Sequence, residues 1–195
     1  MEFPDVVRRR RMVRNYTNEP VDPAAVDRIV AAGLQAPSAG HSQGQSFIVV
    51  TDAAVRSEIA TLADEPSYVA AGFDPWISLA PVHIVICASE AVYRARYAEP
   101  DKGGPDQEHD WPVPYWWVDA GAAMMLVLLA AVDEGLAAGF LGSHAMADLN
   151  ALLRMPEDVN PIGIVTLGHP APDRRSSSLD RGRRPRSEVV HQNHW

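Results

Sequence analysis

Apolar positions along this chain follow two rhythms. Val26, Ile29, Val30 and Leu34 recur at helical spacing, opened by Asp22–Pro23 as N-cap and first turn and closed by Pro37. Val55, Ile59 and Leu62 repeat that spacing behind Thr51 or Asp52 as cap. Between these lie short β-branched runs at 47–51 (FIVVT), 82–88 (VHIVICA) and 162–167 (IGIVTL). They are predicted to be strands buried on both faces. A long helix, apolar nearly all round, is expected from Asp119 to about Glu134, ended by Gly135 and Gly139. Shorter helices are expected over 4–14, over 147–153 and near 187–191. Residues 89–118, rich in Pro, Gly, Trp and Tyr, read as irregular.

Few strands among many helices predict an α+β fold, an α/β sandwich, formed as a single domain over 1–195. A helix apolar all round belongs in a large core or a subunit interface. A chain of 195 residues has little room to surround one, so a homodimer is expected. Gly121, Ala122 and Ala123 would permit close helix approach.

Composition narrows the function classes. With 47% apolar and 22% charged residues the chain is ordinary globular protein, which excludes collagen, coiled coil and wholesale disorder. One cysteine, Cys87, excludes an intrachain disulfide and a multi-cysteine metal site. No apolar stretch follows the N-terminal arginines, so no secretory signal is read. The longest apolar run, 120–132, is 13 residues, short of a bilayer span. A soluble, cytoplasmic protein without a membrane partner is the expectation.

Charge is distributed unevenly. The net charge is −8, yet 11 of the 17 basic residues lie in residues 1–16 and 174–186. Five arginines against two acids give the first end +3; six against two give the last end, to residue 195, +4, which leaves −15 in the body. A nucleic-acid binder would be basic over a broad surface. Two arginine-rich ends on an acidic body suit one small, highly charged anion, and arginine favours bidentate phosphate contacts.

Four segments carry candidate chemistry. On a helix, Arg10 and Arg14 would share a face and could grip a phosphate, although a solvated basic helix looks the same. The APSAGHSQ segment, 36–43, offers small residues and donors from Ser38, His41, Ser42 and Gln43, or is an ordinary polar turn. Gly139-Phe140-Leu141-Gly142 either caps the apolar helix or lets backbone lie along a flat ring. RGRRP, 181–185, supplies the other cationic end. His191 and His194 are spaced as a weak metal pair, more simply read as solvated, so no metal is expected.

In order and spacing, RRMVRNY, APSAGHSQ before FIVV, DAGAAMMLVLLAAVDEGLAAGFLG, LNALLRMPEDVNPIGIVTLGHP and RRP resemble the FMN-dependent nitroreductase family over nearly the whole chain. The resemblance implies a central mixed sheet flanked by helices, and an intertwined homodimer with FMN in two interface sites. Arg10, Arg11 and Arg14 would hold the phosphate and ribityl chain, with Met12 serving through its backbone. Pro37 and Ser38 would line the flavin, with His41 in the same loop. Phe140, Leu141 and Gly142 would pass the isoalloxazine, a backbone N–H reaching N5. Arg183, with Arg181 as second candidate, would complete the phosphate grip. The implied activity is transfer of electrons from NAD(P)H through FMN to a nitroaromatic, quinone or similar small acceptor, in ping-pong fashion. Residues 89–118 would form a lid, with Trp111, Tyr115 and Trp116 toward the substrate or in core or dimer contacts.

Other branches imply other reactions. The 5,6-dimethylbenzimidazole synthase branch has Asp at the Met12 position and Ser at the Gly142 position. A dehalogenase would need a zwitterion-binding lid, for which Glu90, Tyr93 and Lys102 are present. A flavin-sequestering protein without turnover is a third alternative.

Overall fold

The computed structural model describes residues 1–104 and 110–195. Four strands form one sheet in the order β1-β2-β4-β3: β1 (Gln45–Val50), β2 (Val82–Ala88), β3 (Ala137–Gly142) and β4 (Asn160–Gly168). All three pairings are antiparallel. The parallel component of the expected mixed sheet is a single bridge between Met12 and Ala138.

β2 is buried along its whole length and separates two core layers. Ile84 and Ile86 point to one face, where α2 (Pro23–Gly33) and α7 (Tyr115–Asp133) supply Val26, Ile29, Val127 and Leu128. Val85 and Cys87 point to the other, with Ile59 of α3 (Ala53–Leu62) and Trp76 and Ile77 of α5 (Trp76–Leu79). The remaining helices are α1 (Phe3–Arg9), α4 (Glu65–Ala70), α6 (Glu90–Tyr97) and α8 (Leu149–Leu152). Asp22 and Asp52 cap α2 and α3 through their side chains, as the sequence predicts. Burial pushes the Cys87 thiol up to about 12, so it stays protonated within the core.

Five elements differ from the sequence reading. α1 ends at Arg9, and residues beyond it are held to the sheet in place of a helix reaching Asn15. β3 is a strand where a helix end was expected, because pairing with β4 outweighs the low strand propensity of AAGFLG. The stretch 89–118 is not wholly irregular: α6 occupies 90–97, and residues 105–109 lie outside the described residues. Near 187–191 there is only a short 3-10 turn at Arg186–Glu188. Finally, α7 starts at Tyr115 and spans 19 residues, long and apolar enough by length and composition to cross a membrane. Ala120, Ala123, Val127, Leu128 and Ala131 pack its inner face. Trp117, Val118 and Met125 leave its outer face exposed, and a side chain at Gly121 would meet nothing within 4 Å.

His83 gives the core a pH dependence. It is fully buried on β2, its Nε2 donating to Ile77 O at 2.8 Å, and its Nδ1 has no partner among the described residues. Burial, aided by the Arg56 guanidinium, pushes its pKa down to about 4 against the upward pull of the Ile77 carbonyl. The unfolded chain therefore binds the proton first as pH falls below about 6.5. Stability is fully present above that pH and is lost on going down to pH 4, by about 3 kcal/mol. Urea unfolding at stepped pH should show this slope, and His83→Leu should flatten it; an unchanged slope in the variant would contradict the assignment.

Candidate functional site

The first arginine-rich end lies beside the chain that leads into the second, Arg14 meeting Asp173 159 residues away. Residues 12–13 run along β3 in parallel: Met12 bridges Ala138, and Val13 N donates to Ala138 O at 2.9 Å. The close approach requires Gly139, where a Cβ would sit 2.5 Å from Val13 O. On its other side the same segment meets the chain after β4. Thr17 N donates to His169 O, Ala171 N to Asn15 O, Asn15 Nδ2 to Pro172 O, and Arg14 N to Asp173 Oδ2 at 2.9 Å. Tyr16 fixes the seam from within: its buried hydroxyl lies 2.7 Å from Thr166 Oγ1 and donates to Val13 O at 3.0 Å.

Since the segment is extended, period-two alternation rather than a helical turn puts Arg10, Met12 and Arg14 on one side. Arg11 and Val13 line a small cavity of about 170 Å³ on the other. Arg14 opens onto a larger one of about 390 Å³, walled by Tyr68, Phe73 and Trp76, with Asp74, Asp173, Arg174 and Arg175 among its lining. Its guanidinium lies 5.8 Å from the Trp76 ring centroid.

Arg8, Arg28, Arg94, Arg96, Arg175 and Arg184 each pair with a carboxylate. Arg9, Arg10, Arg11, Arg14, Arg56, Arg154, Arg174, Arg181, Arg183 and Arg186 have no carboxylate partner among the described residues. In a chain of net charge −8, Arg10, Arg11 and Arg14, without carboxylate partners along one seam, suit a phosphate-bearing group such as FMN. Arg181 and Arg183 are exposed on the tail and do not line the Arg14 cavity; Arg174 and Arg175 do.

The other expected residues lie elsewhere in the protomer. Phe140 shares an open apolar cavity of about 500 Å³ with Trp117, Met124 and Ser143, and Leu141 and Gly142 follow it on β3. The loop of Pro37, Ser38 and His41 is tightly held. Gly40, His41 and Gln43 have positive φ, Ser38 Oγ accepts from Gln43 N, and Ala39 N donates to Asp119 Oδ2 at 2.8 Å. That carboxylate also accepts from Tyr93 OH at 2.8 Å, while Arg96 Nε donates to Gly40 O. Asp119 therefore joins the loop to α6.

Of the aromatics assigned to the pocket, Trp116 is buried in the core beside Tyr93, its Nε1 without a partner among the described residues. Trp111 is half-buried against Tyr97, Tyr115 and Trp116, and Tyr115 is exposed. The possible dehalogenase set is committed within the fold: Tyr93 is buried on Asp119, Glu90 pairs with Arg94, and Lys102 lies over the Tyr97 ring. Sequence reading missed Tyr68, Phe73, Trp76, Asp119 and Asp173 as site residues. Only their position in the fold brings them to the site, and no local spacing announces it.

The model of the Nitroreductase family matches residues 7–169. The chain is 31% identical to FMN reductase [NAD(P)H] of Bacillus subtilis (strain 168), over 93% of this chain and 70% of that one. Its fold matches the hypothetical oxidoreductase YcnD from Bacillus subtilis with a TM-score of 0.76 at 30% identity, covering 100% of this chain and 75% of that one. It matches NADPH:FMN oxidoreductase from Vibrio harveyi, solved with NAD+, with a TM-score of 0.76 at 26% identity, covering 99% and 77%. The arginine seam, the antiparallel sheet and a match that spans most of the chain agree: this chain belongs to the nitroreductase family.

Proposed function

We propose that the protein is an FMN-dependent oxidoreductase that takes electrons from NAD(P)H and delivers them, by a ping-pong mechanism, to a nitroaromatic, quinone or similar small acceptor. The observation that carries this reading is the seam along which Arg10, Arg11 and Arg14 lie without carboxylate partners among the described residues. FMN, when bound, supplies the redox chemistry. The chain's own residues bind and orient. Arg10, Arg11 and Arg14, with Arg183 or Arg181 from the tail, hold the phosphate and ribityl chain; Phe140, Leu141, Gly142, Pro37 and Ser38 line the ring. No side chain is assigned proton transfer.

Within one protomer these groups occupy separate places, and a second copy of the chain brings them together. The exposed apolar face of α7, with Trp117, Val118, Gly121 and Met125, is the surface that copy covers. α6 and the aromatic cluster of Tyr97, Trp111 and Tyr115 form the proposed lid over 89–118.

Purified protein is expected to be yellow and to release FMN, not FAD, on denaturation. Under anaerobic conditions NADH or NADPH should bleach the bound flavin once, and turnover should require an added acceptor. A colourless protein that does not quench added FMN fluorescence would refute the assignment. One that holds FMN and oxidises neither nucleotide would instead be a flavin-sequestering protein.

A further inference from the structure

We propose that Arg96 is a positioning residue: it carries the conformation of the turn after α6 into the loop of Pro37 and Ser38, and so sets how that loop lies against the flavin ring. The proposal rests on the FMN reading for what the loop lines, not for the link itself. The loop does not hold its shape alone. Gly40, His41 and Gln43 all have positive φ, and two of the three carry a Cβ. Such backbone persists only where its surroundings over-determine it. Inside the loop, His41 N donates to Ser38 O, Ser42 Oγ to Ala39 O and Gln43 N to Ser38 Oγ. From outside, Asp119 accepts from Ala39 N, and Arg96 Nε donates to Gly40 O at 3.0 Å.

Arg96 differs from Asp119 in what stands behind it. Its Nη1 and Nη2 fork the two oxygens of Asp101 at 2.7 Å each, and Nη1 also reaches Glu99 at 3.1 Å. The guanidinium is half-buried, whereas both carboxylates are exposed on the turn Pro100–Lys102 and at its cap. One planar group therefore ties a main-chain carbonyl of the loop to that turn, with donors fixed in directions a single ammonium could not serve at once. Loop and turn also touch: a Cβ on Gly40 would lie 2.8 Å from the Tyr97 ring and 3.3 Å from Lys102 Cε. A displacement of the turn is thus handed to Gly40 through the guanidinium, and the turn belongs to the stretch proposed to cover the acceptor.

Hydrogen–deuterium exchange of the amides of residues 36–45 reads the link. Arg96→Met keeps the stem and removes the donors, and exchange should become about five- to tenfold faster, the loss expected for one hydrogen bond. Arg96→Lys should behave like Arg96→Met. Asp101→Ala removes an exposed carboxylate that bonds no atom of the loop, yet exchange in the loop should still rise about two- to threefold. Glu90→Ala breaks a comparable exposed pair with Arg94 on the same helix and should change nothing. In the FMN-loaded protein, Arg96→Met and Asp101→Ala should alter the visible circular dichroism of the bound flavin and raise the KM for menadione more than they lower kcat. The proposal is overturned if the loop exchanges at the wild-type rate in Arg96→Met or in Asp101→Ala, if Glu90→Ala matches them, or if exchange rises while the flavin signal and KM stay unchanged. Should the protein take up no FMN, the functional reading fails, and exchange in the flavin-free chain still decides whether Arg96 governs the loop.

Discussion

Arg14→Ala and Arg183→Ala should each weaken FMN binding by about one to two orders of magnitude. A charge-assisted contact contributes about 1.5–3 kcal/mol, and about 1.4 kcal/mol is tenfold in affinity. Arg14 is held at the seam by its backbone bond to Asp173 and by Trp76, so its loss leaves the strand in place. Arg183 sits exposed on the tail, where truncation costs the fold little. The two losses should not add, because both act on one anion. Riboflavin lacks the phosphate, and its affinity should barely change; general unfolding would weaken both ligands alike. Arg9→Ala and Arg174→Ala serve as controls. Fluorescence titration decides: if Arg14→Ala and Arg183→Ala bind FMN as well as the controls do, the phosphate lies elsewhere.

Asp119→Ala is expected to be the most destabilising of the single changes considered. Its buried carboxylate accepts from Ala39 N and from Tyr93 OH, both at 2.8 Å. Removal leaves a main-chain donor and a phenol unpaired, at about 1–3 kcal/mol each. For a chain of this size each kcal/mol lowers Tm by roughly 2–4 °C, so a fall of about 10 °C is expected. Tyr93→Phe removes one donor together with its need and should cost only about 1 kcal/mol. Thermal melts of the two variants measure the difference. A wild-type Tm in Asp119→Ala would show that the shared carboxylate does not hold the loop to α6.

Both variants bear on how the site could be read from the chain. β1, β2 and β4 were legible because β-branched runs with no polar alternation have few other uses. β3 was not, since its Ala and Gly residues carry no strand propensity and are chosen for the close approach at Gly139. Arginines at 10–14 were singled out by charge alone, and their geometry was misread: helical and extended backbones both place residues four apart on one side. Asp119 was read as the start of the long helix, yet the helix begins four residues earlier, with Tyr-Trp-Trp-Val, residue types of modest helix propensity. Its actual work is a contact 80 residues away, which no local pattern encodes. Phe73 and Trp76 were likewise silent, because they face Arg14 only after α5 has docked on the sheet.

The seam between the ends also fixes when the anion site comes into being. Its N-terminal half is made first on the ribosome, while Ala138 and residues 169–173, its neighbours on either side, are made long afterwards. Until they arrive, Arg10, Arg11 and Arg14 have no sheet edge to lie along. Closure over 159 residues is a non-local event of the kind that forms late in folding. On the proposed reading cofactor capture follows that closure, and a nascent chain halted before residue 169 has a core strand in β2 but no seam to receive a phosphate.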